Sequence, residues 1–114
     1  MNIRLREAFE TEINLAIVEY SNKNFTESFS HFERAHILGQ SFVIPHTRAH
    51  WWMLKIGLRT NNIPEVFGQI ARIVASILFS RIWVPIGNTG GANVSAIKPM
   101  PIPEDLKEVL GNKK

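Results

Sequence analysis

Cysteine is absent from the 114 residues. That excludes disulfides, thiolate zinc sites, iron–sulfur clusters and thiol nucleophiles, so any metal must be held by histidine and carboxylate. Long apolar runs are also missing. The longest, Ile73 to Val84, is interrupted by Arg81 and preceded by Arg72, too short and too charged to cross a bilayer. The start, Met1-Asn2-Ile3-Arg4-Leu5-Arg6-Glu7, carries charges at a helical period and no signal-peptide core, which leads us to expect a cytoplasmic protein. Charge of one sign is scarce as well. The net charge is +3, and the basic residues are interspersed with acids rather than gathered in a stripe with aromatics. Nucleic acid is therefore not the expected partner.

What the chain does have is helical period. At this length, with 45% apolar residues, it is expected to form one domain over 1–114 with its own core. A helical bundle should fill about 3–84, and a packed loop with a short helix 85–110. The first helix is expected from Ile3 to Ser21, with Leu5, Ala8, Phe9, Ile13, Ala16, Ile17 and Tyr20 on one side. Asn24 is placed to cap a second helix, with Glu27 three residues on and Gly39 as its C′ residue. Pro45 and Pro64 each suit a first helical position, predicting helices from Pro45 to about Thr60 and from Pro64 to about Trp83. Turns this short make four antiparallel neighbours, and no strand pattern competes: the fold class is all-α. The stretch from Pro85 to Pro103 is rich in glycine and proline. Its apolar residues Val94, Ile97, Met100 and Ile102 predict an ordered segment over the bundle, closed by a short helix from Glu104 to Leu110.

The fourth helix is apolar around most of its circumference, with Glu65, Gln69, Arg72 and Ser76 on one polar strip. Such a helix is either central or part of an interface, and a homodimer through it is expected. Trp51 and Trp52 read as packing residues. Gly87-Asn88-Thr89-Gly90-Gly91 lacks the Gly-Lys-Ser/Thr ending of a phosphate-cradling loop, Ser95 has no nucleophile-elbow context, and no catalytic residue is assigned.

The four histidines fall between residues 31 and 50. At about 100° per residue, His36 lands in the middle of the apolar face of the second helix, with His31 and Glu33 on its two edges. On the third helix, His46 and His50 stack at i, i+4 spacing, opposite the charged stripe of Arg48, Lys55 and Arg59. An antiparallel pairing sets His36 beside His46 and Glu33 level with His50. The expected metal ligands are His36, His46, His50 and Glu33, with Glu12 from the apolar side of the first helix as a further carboxylate. The set suits Zn²⁺, Fe²⁺, Ni²⁺ or Cu²⁺. Glu33-x-x-His36 has the spacing of di-iron bundles, but its second copy is missing. A satisfied polar network around buried histidines is the competing account.

Two resemblances bear on function. Phe25, Ser28, Phe32 and Ala35 resemble the second helix of a tetratricopeptide repeat, although Gln40 stands where that repeat ends in proline. One hairpin is no solenoid, which takes about three units. It does imply the alternative function, a protein–protein interaction module whose buried histidines are structural. The second resemblance covers nearly the whole chain and is carried by three runs: Glu33-Arg34-Ala35-His36-Ile37-Leu38-Gly39-Gln40, Pro45-His46-Thr47-Arg48-Ala49-His50-Trp51, and the tail from Gly87-Asn88-Thr89-Gly90 through Asn93-Val94-Ser95-Ala96 to Pro99-Met100-Pro101-Ile102-Pro103. Together they resemble a family of short bacterial proteins catalogued only as a domain of unknown function. That resemblance implies a bacterial, cytoplasmic, helical protein and brings no activity with it. The leading expectation is a small metal-binding helical protein with a buffer, sensor or accessory role.

Overall fold

The computed structural model describes residues 1–78 and 100–111, with side chains through Ala75 in the first stretch. It contains α1 (Ile3–Ser21), α2 (Phe25–Gly39), α3 (Val43–Arg59), α4 (Ile63–Leu78) and α5 (Glu104–Gly111), and no strand among the described residues. The class is all-α, as its periodicity requires. No described helix is long and apolar enough to cross a membrane.

Leu5, Phe9, Ile13 and Ala16 recur every three or four residues on α1 and are all buried. The Asn2 side chain accepts from the Leu5 backbone N–H at 2.8 Å and closes the first turn. On α2, Ser28 Oγ donates to the Ala16 carbonyl at 2.7 Å and His31 meets Glu12. Rising numbers on α2 meet falling numbers on α1, so the two are antiparallel. The same sense relates α2 to α3, where Phe32 stacks on Trp52 with centroids 5.3 Å apart and His36 meets His46. It also relates α3 to α4, where Gly57 lies against Val66 and His50 against Gln69. Among the described residues, Phe9, Phe32, Leu5, Ile13, Leu38 and Met53 are the largest apolar side chains fully enclosed, and Leu106 brings α5 onto them.

Several boundaries differ from those the sequence predicts, each for a local reason. Asn24 makes no side-chain cap on α2, and the turn before it is made by Lys23 at φ 62°. The second reversal uses Asn61 at φ 56°, a residue type that tolerates the left-handed region. α3 starts at Val43, which puts Pro45 third in the helix, still within the first turn where backbone N–H groups have no intrahelical partner. Gly39 is not a left-handed C′ residue. It ends α2, and Gln40 continues at φ −61°. A Cβ at Gly39 would lie 2.8 Å from Pro45 Cβ and 2.9 Å from Phe9 Cε1, so close packing demands the glycine. Trp52 packs inward, but Trp51 is about half exposed. Ile102 rests against the core. The expectations of order from Gly87 to Pro99 and of a helix reaching Trp83 lie outside the described residues.

Candidate metal centre

The turn Gln40–Phe42 reverses the chain between α2 and α3, so the end of one helix faces the start of the other. His36 is thereby set against His46, and His50 follows one turn along α3 on the same face. The Nε2 atoms of His36 and His46 are 2.9 Å apart, and those of His46 and His50 are 3.0 Å apart. The ring centroids form a nearly equilateral triangle with sides of 4.7, 4.7 and 4.6 Å. One ligating nitrogen from each ring lies within 4.8 Å of the other two, so the group is able to hold a metal ion.

His36 and His50 are buried, each 1% exposed. Burial pushes the His46 imidazole down to about 4. His50 is pushed down to about 3, first by burial, then by the neighbouring charges of His46 and Arg72, against a hydrogen bond to Gln69 that favours its cation. Both rings are therefore neutral near pH 7, which is the form that ligates metal.

α4 supplies the support. Gln69 Oε1 lies 2.6 Å from His50 Nδ1. The Gln69 amide nitrogen donates to Glu65 Oε2 at 2.5 Å and lies 3.5 Å from Met53 Sδ. Gln69 is fully buried and Glu65 nearly so. The helical wheel alone groups these two residues on a polar strip and gives them no role at the histidines. In the fold Glu65 and Gln69 are turned toward the triad, leaving Ile63, Phe67, Ile70 and Val74 exposed instead. The wheel separates the apolar residues at 63, 67, 70 and 74 from the polar strip, but it carries no signal for which of the two faces turns inward.

The carboxylates are placed elsewhere. Glu12 is buried on α1 as its position suggested, but its oxygens accept from His31 Nδ1 at 2.7 Å and Arg34 Nε at 3.0 Å. Arg34 also pairs with Asp105 on α5. Glu33 is half-buried and lines a cleft shared with Phe25, Phe29 and Glu65. Of the five expected ligands the structure brings three together, all histidines.

A family model described as a protein of unknown function, DUF3703, matches residues 3–110. The chain belongs to the DUF3703 family. The matched span contains all three histidines and the Glu65–Gln69 pair, so the triad lies within the family domain. No curated protein and no solved structure matches this DUF3703 chain.

Proposed function

We propose that this protein binds one divalent transition metal through Nε2 of His36, His46 and His50, in a buffer, sensor or accessory role. The observation that carries the reading is the proton arithmetic of the triad. Gln69 Oε1 accepts from His50 Nδ1, so neutral His50 has a bare lone pair at Nε2. His46 Nε2 stands 3.0 Å from that lone pair and 2.9 Å from His36 Nε2. It carries at most one hydrogen, which points along one of those lines and not both. With neutral rings, therefore, the two short nitrogen–nitrogen contacts cannot both be hydrogen bonds. A shared cation is able to draw on the Nε2 lone pairs of all three rings at once.

The spacing suits such an ion. Metal–nitrogen bonds of about 2.0–2.1 Å in tetrahedral geometry separate the ligating atoms by roughly 3.3–3.4 Å. Two edges of the triad are within half an ångström of that, and one ligating nitrogen of each ring lies within 4.8 Å of the other two. Uniform imidazole ligation favours Zn²⁺, Ni²⁺, Cu²⁺ or Fe²⁺ over oxygen-seeking Ca²⁺ or Mg²⁺. Glu12 and Glu33 stand outside the proposed ligand set.

The test is a thermal melt of chelator-stripped, tag-free protein with each of the four metals added back, together with metal analysis of the protein as purified. An ion that binds only the folded state stabilises it by about 2.7 kcal/mol at a hundredfold excess over its dissociation constant. If none of the four moves the melt, the metal reading fails. The tetratricopeptide-like interaction module then takes its place, supported by the exposed apolar face of α4.

A further inference from the structure

We propose that Gln69 is the positioning residue of the triad. Held by Glu65 and Met53, it locks His50 into the tautomer with its proton on Nδ1, so that Nε2 faces His46 and His36 as a bare lone pair. The proposal rests on the metal reading for its purpose, but its mechanism is visible in the hydrogen bonds alone.

The two ends of a glutamine amide are told apart by their neighbours, not by their shape. A carboxylate oxygen only accepts, so the group of Gln69 lying 2.5 Å from Glu65 Oε2 must be the –NH₂. Met53 Sδ, a weak acceptor 3.5 Å away, independently selects the same end. Turning the amide over would set its carbonyl against both a carboxylate oxygen and a sulfur. Oε1 is therefore fixed toward His50, 2.6 Å from Nδ1. An oxygen acceptor at that distance requires a proton on Nδ1, and a neutral ring with that proton has none on Nε2.

The relay also determines where α4 must sit. Glu65 and Gln69 are one turn apart on the same buried face, so one helix carries both the orienting carboxylate and the amide it orients. Met53 is on α3 one turn beyond His50, so the amide is gripped from both helices. An outer hydrogen bond of this kind fixes tautomer and ring orientation, and its loss lowers metal affinity by about 10–100-fold.

Long-range proton–nitrogen NMR of the metal-free protein reads the tautomer directly, and titration with Zn²⁺ alone reads the affinity. The wild type should show His50 with a protonated Nδ1 and an unprotonated Nε2. Gln69→Leu should shift His50 toward the other tautomer or a mixture and weaken Zn²⁺ binding about 10–100-fold. The double variant Gln69→Glu, Glu65→Gln reverses donor and acceptor in the contact between the two residues but keeps an oxygen toward His50, and should retain the wild-type tautomer. Glu65→Leu combined with Met53→Leu removes both acceptors that tell the amide ends apart and should give a mixture of tautomers. A wild-type His50 protonated on Nε2 would overturn the proposal, as would an unchanged tautomer in Gln69→Leu or in the Glu65→Leu, Met53→Leu double variant. If Zn²⁺ binds to none of these proteins, the metal reading falls, while the tautomer measurement still decides the role of Gln69. Should Gln69→Leu not fold, the wild-type spectrum and that of the Glu65→Leu, Met53→Leu double variant carry the decision.

Discussion

His46 and His50 stand one helical turn apart on α3 with their Nε2 atoms 3.0 Å from each other, a distance two imidazolium ions would not tolerate. Both rings are held well below the ordinary value of 6.5, to about 4 and about 3. The fold thus favours their neutral forms. The stability this linkage contributes is complete above about pH 6.5, where unfolded histidines are also neutral, and is lost as pH falls toward the folded values. Urea denaturation of the metal-free protein should show stability declining by several kcal/mol between about pH 6.5 and pH 4. Each ring contributes about 1.4 kcal/mol for every pH unit by which the fold holds it below its ordinary value. A flat profile over that range would remove the buried neutral pair.

Replacement of single histidines should separate the triad from its neighbour. His46→Ala and His50→Ala are expected to abolish stoichiometric metal binding, measured by dialysis and metal analysis. His31→Ala should leave it nearly unchanged, because His31 bonds Glu12 on the other side of α2. Loss of binding in His31→Ala would move the site.

Gly39 should not accept a methyl group. The Cβ of Gly39→Ala would meet Pro45 Cβ at 2.8 Å and Phe9 at 2.9 Å, and Pro45 sits in the first turn of α3, which carries His46. Overpacking of this kind typically costs about 1–3 kcal/mol. The variant should unfold at lower denaturant concentration and bind metal more weakly, since the contact sets the spacing between the two histidine helices.

Much of the site is legible in the sequence, and the failures have a common cause. A helical wheel records which residues share a side, so it places His36, His46 and His50 on inward faces and finds Glu12 buried. It does not record which neighbour covers that side. The wheel therefore assigns Glu12 to the wrong histidines: its own turn of α1 lies opposite His31 and Arg34, not opposite His36. Gln69 and Glu65 escape it for the same reason. A polar strip on an apolar helix reads as the wet face until the histidines across from it make the dry face polar. Pro45 misplaces the start of α3 because proline is tolerated throughout the first turn, not only at its first position.

The inward strip leaves α4 with an apolar outer row. Ile63, Phe67, Ile70 and Val74 alternate four and three residues apart, the spacing of a helix-to-helix seam, and are 43–68% exposed. We expect the protein to self-associate through this row. Sedimentation at tens of micromolar, a typical range for weak dimers, should show a dimer that Phe67→Glu converts to monomer. A wild-type monomer throughout that range would reject the seam.

Arg34 joins Glu12 and Asp105, and the second of these partners lies 71 positions further along the chain. Contacts of such range form late, because the intervening chain must give up its freedom before the contact rewards it. α5 is in that sense a clasp, fastened onto a hairpin that local contacts have already assembled. Loosening it through Leu106→Ala should quicken unfolding and leave the folding rate nearly untouched. The last helix would then govern how long the protein stays folded, while the hairpin governs how fast it folds.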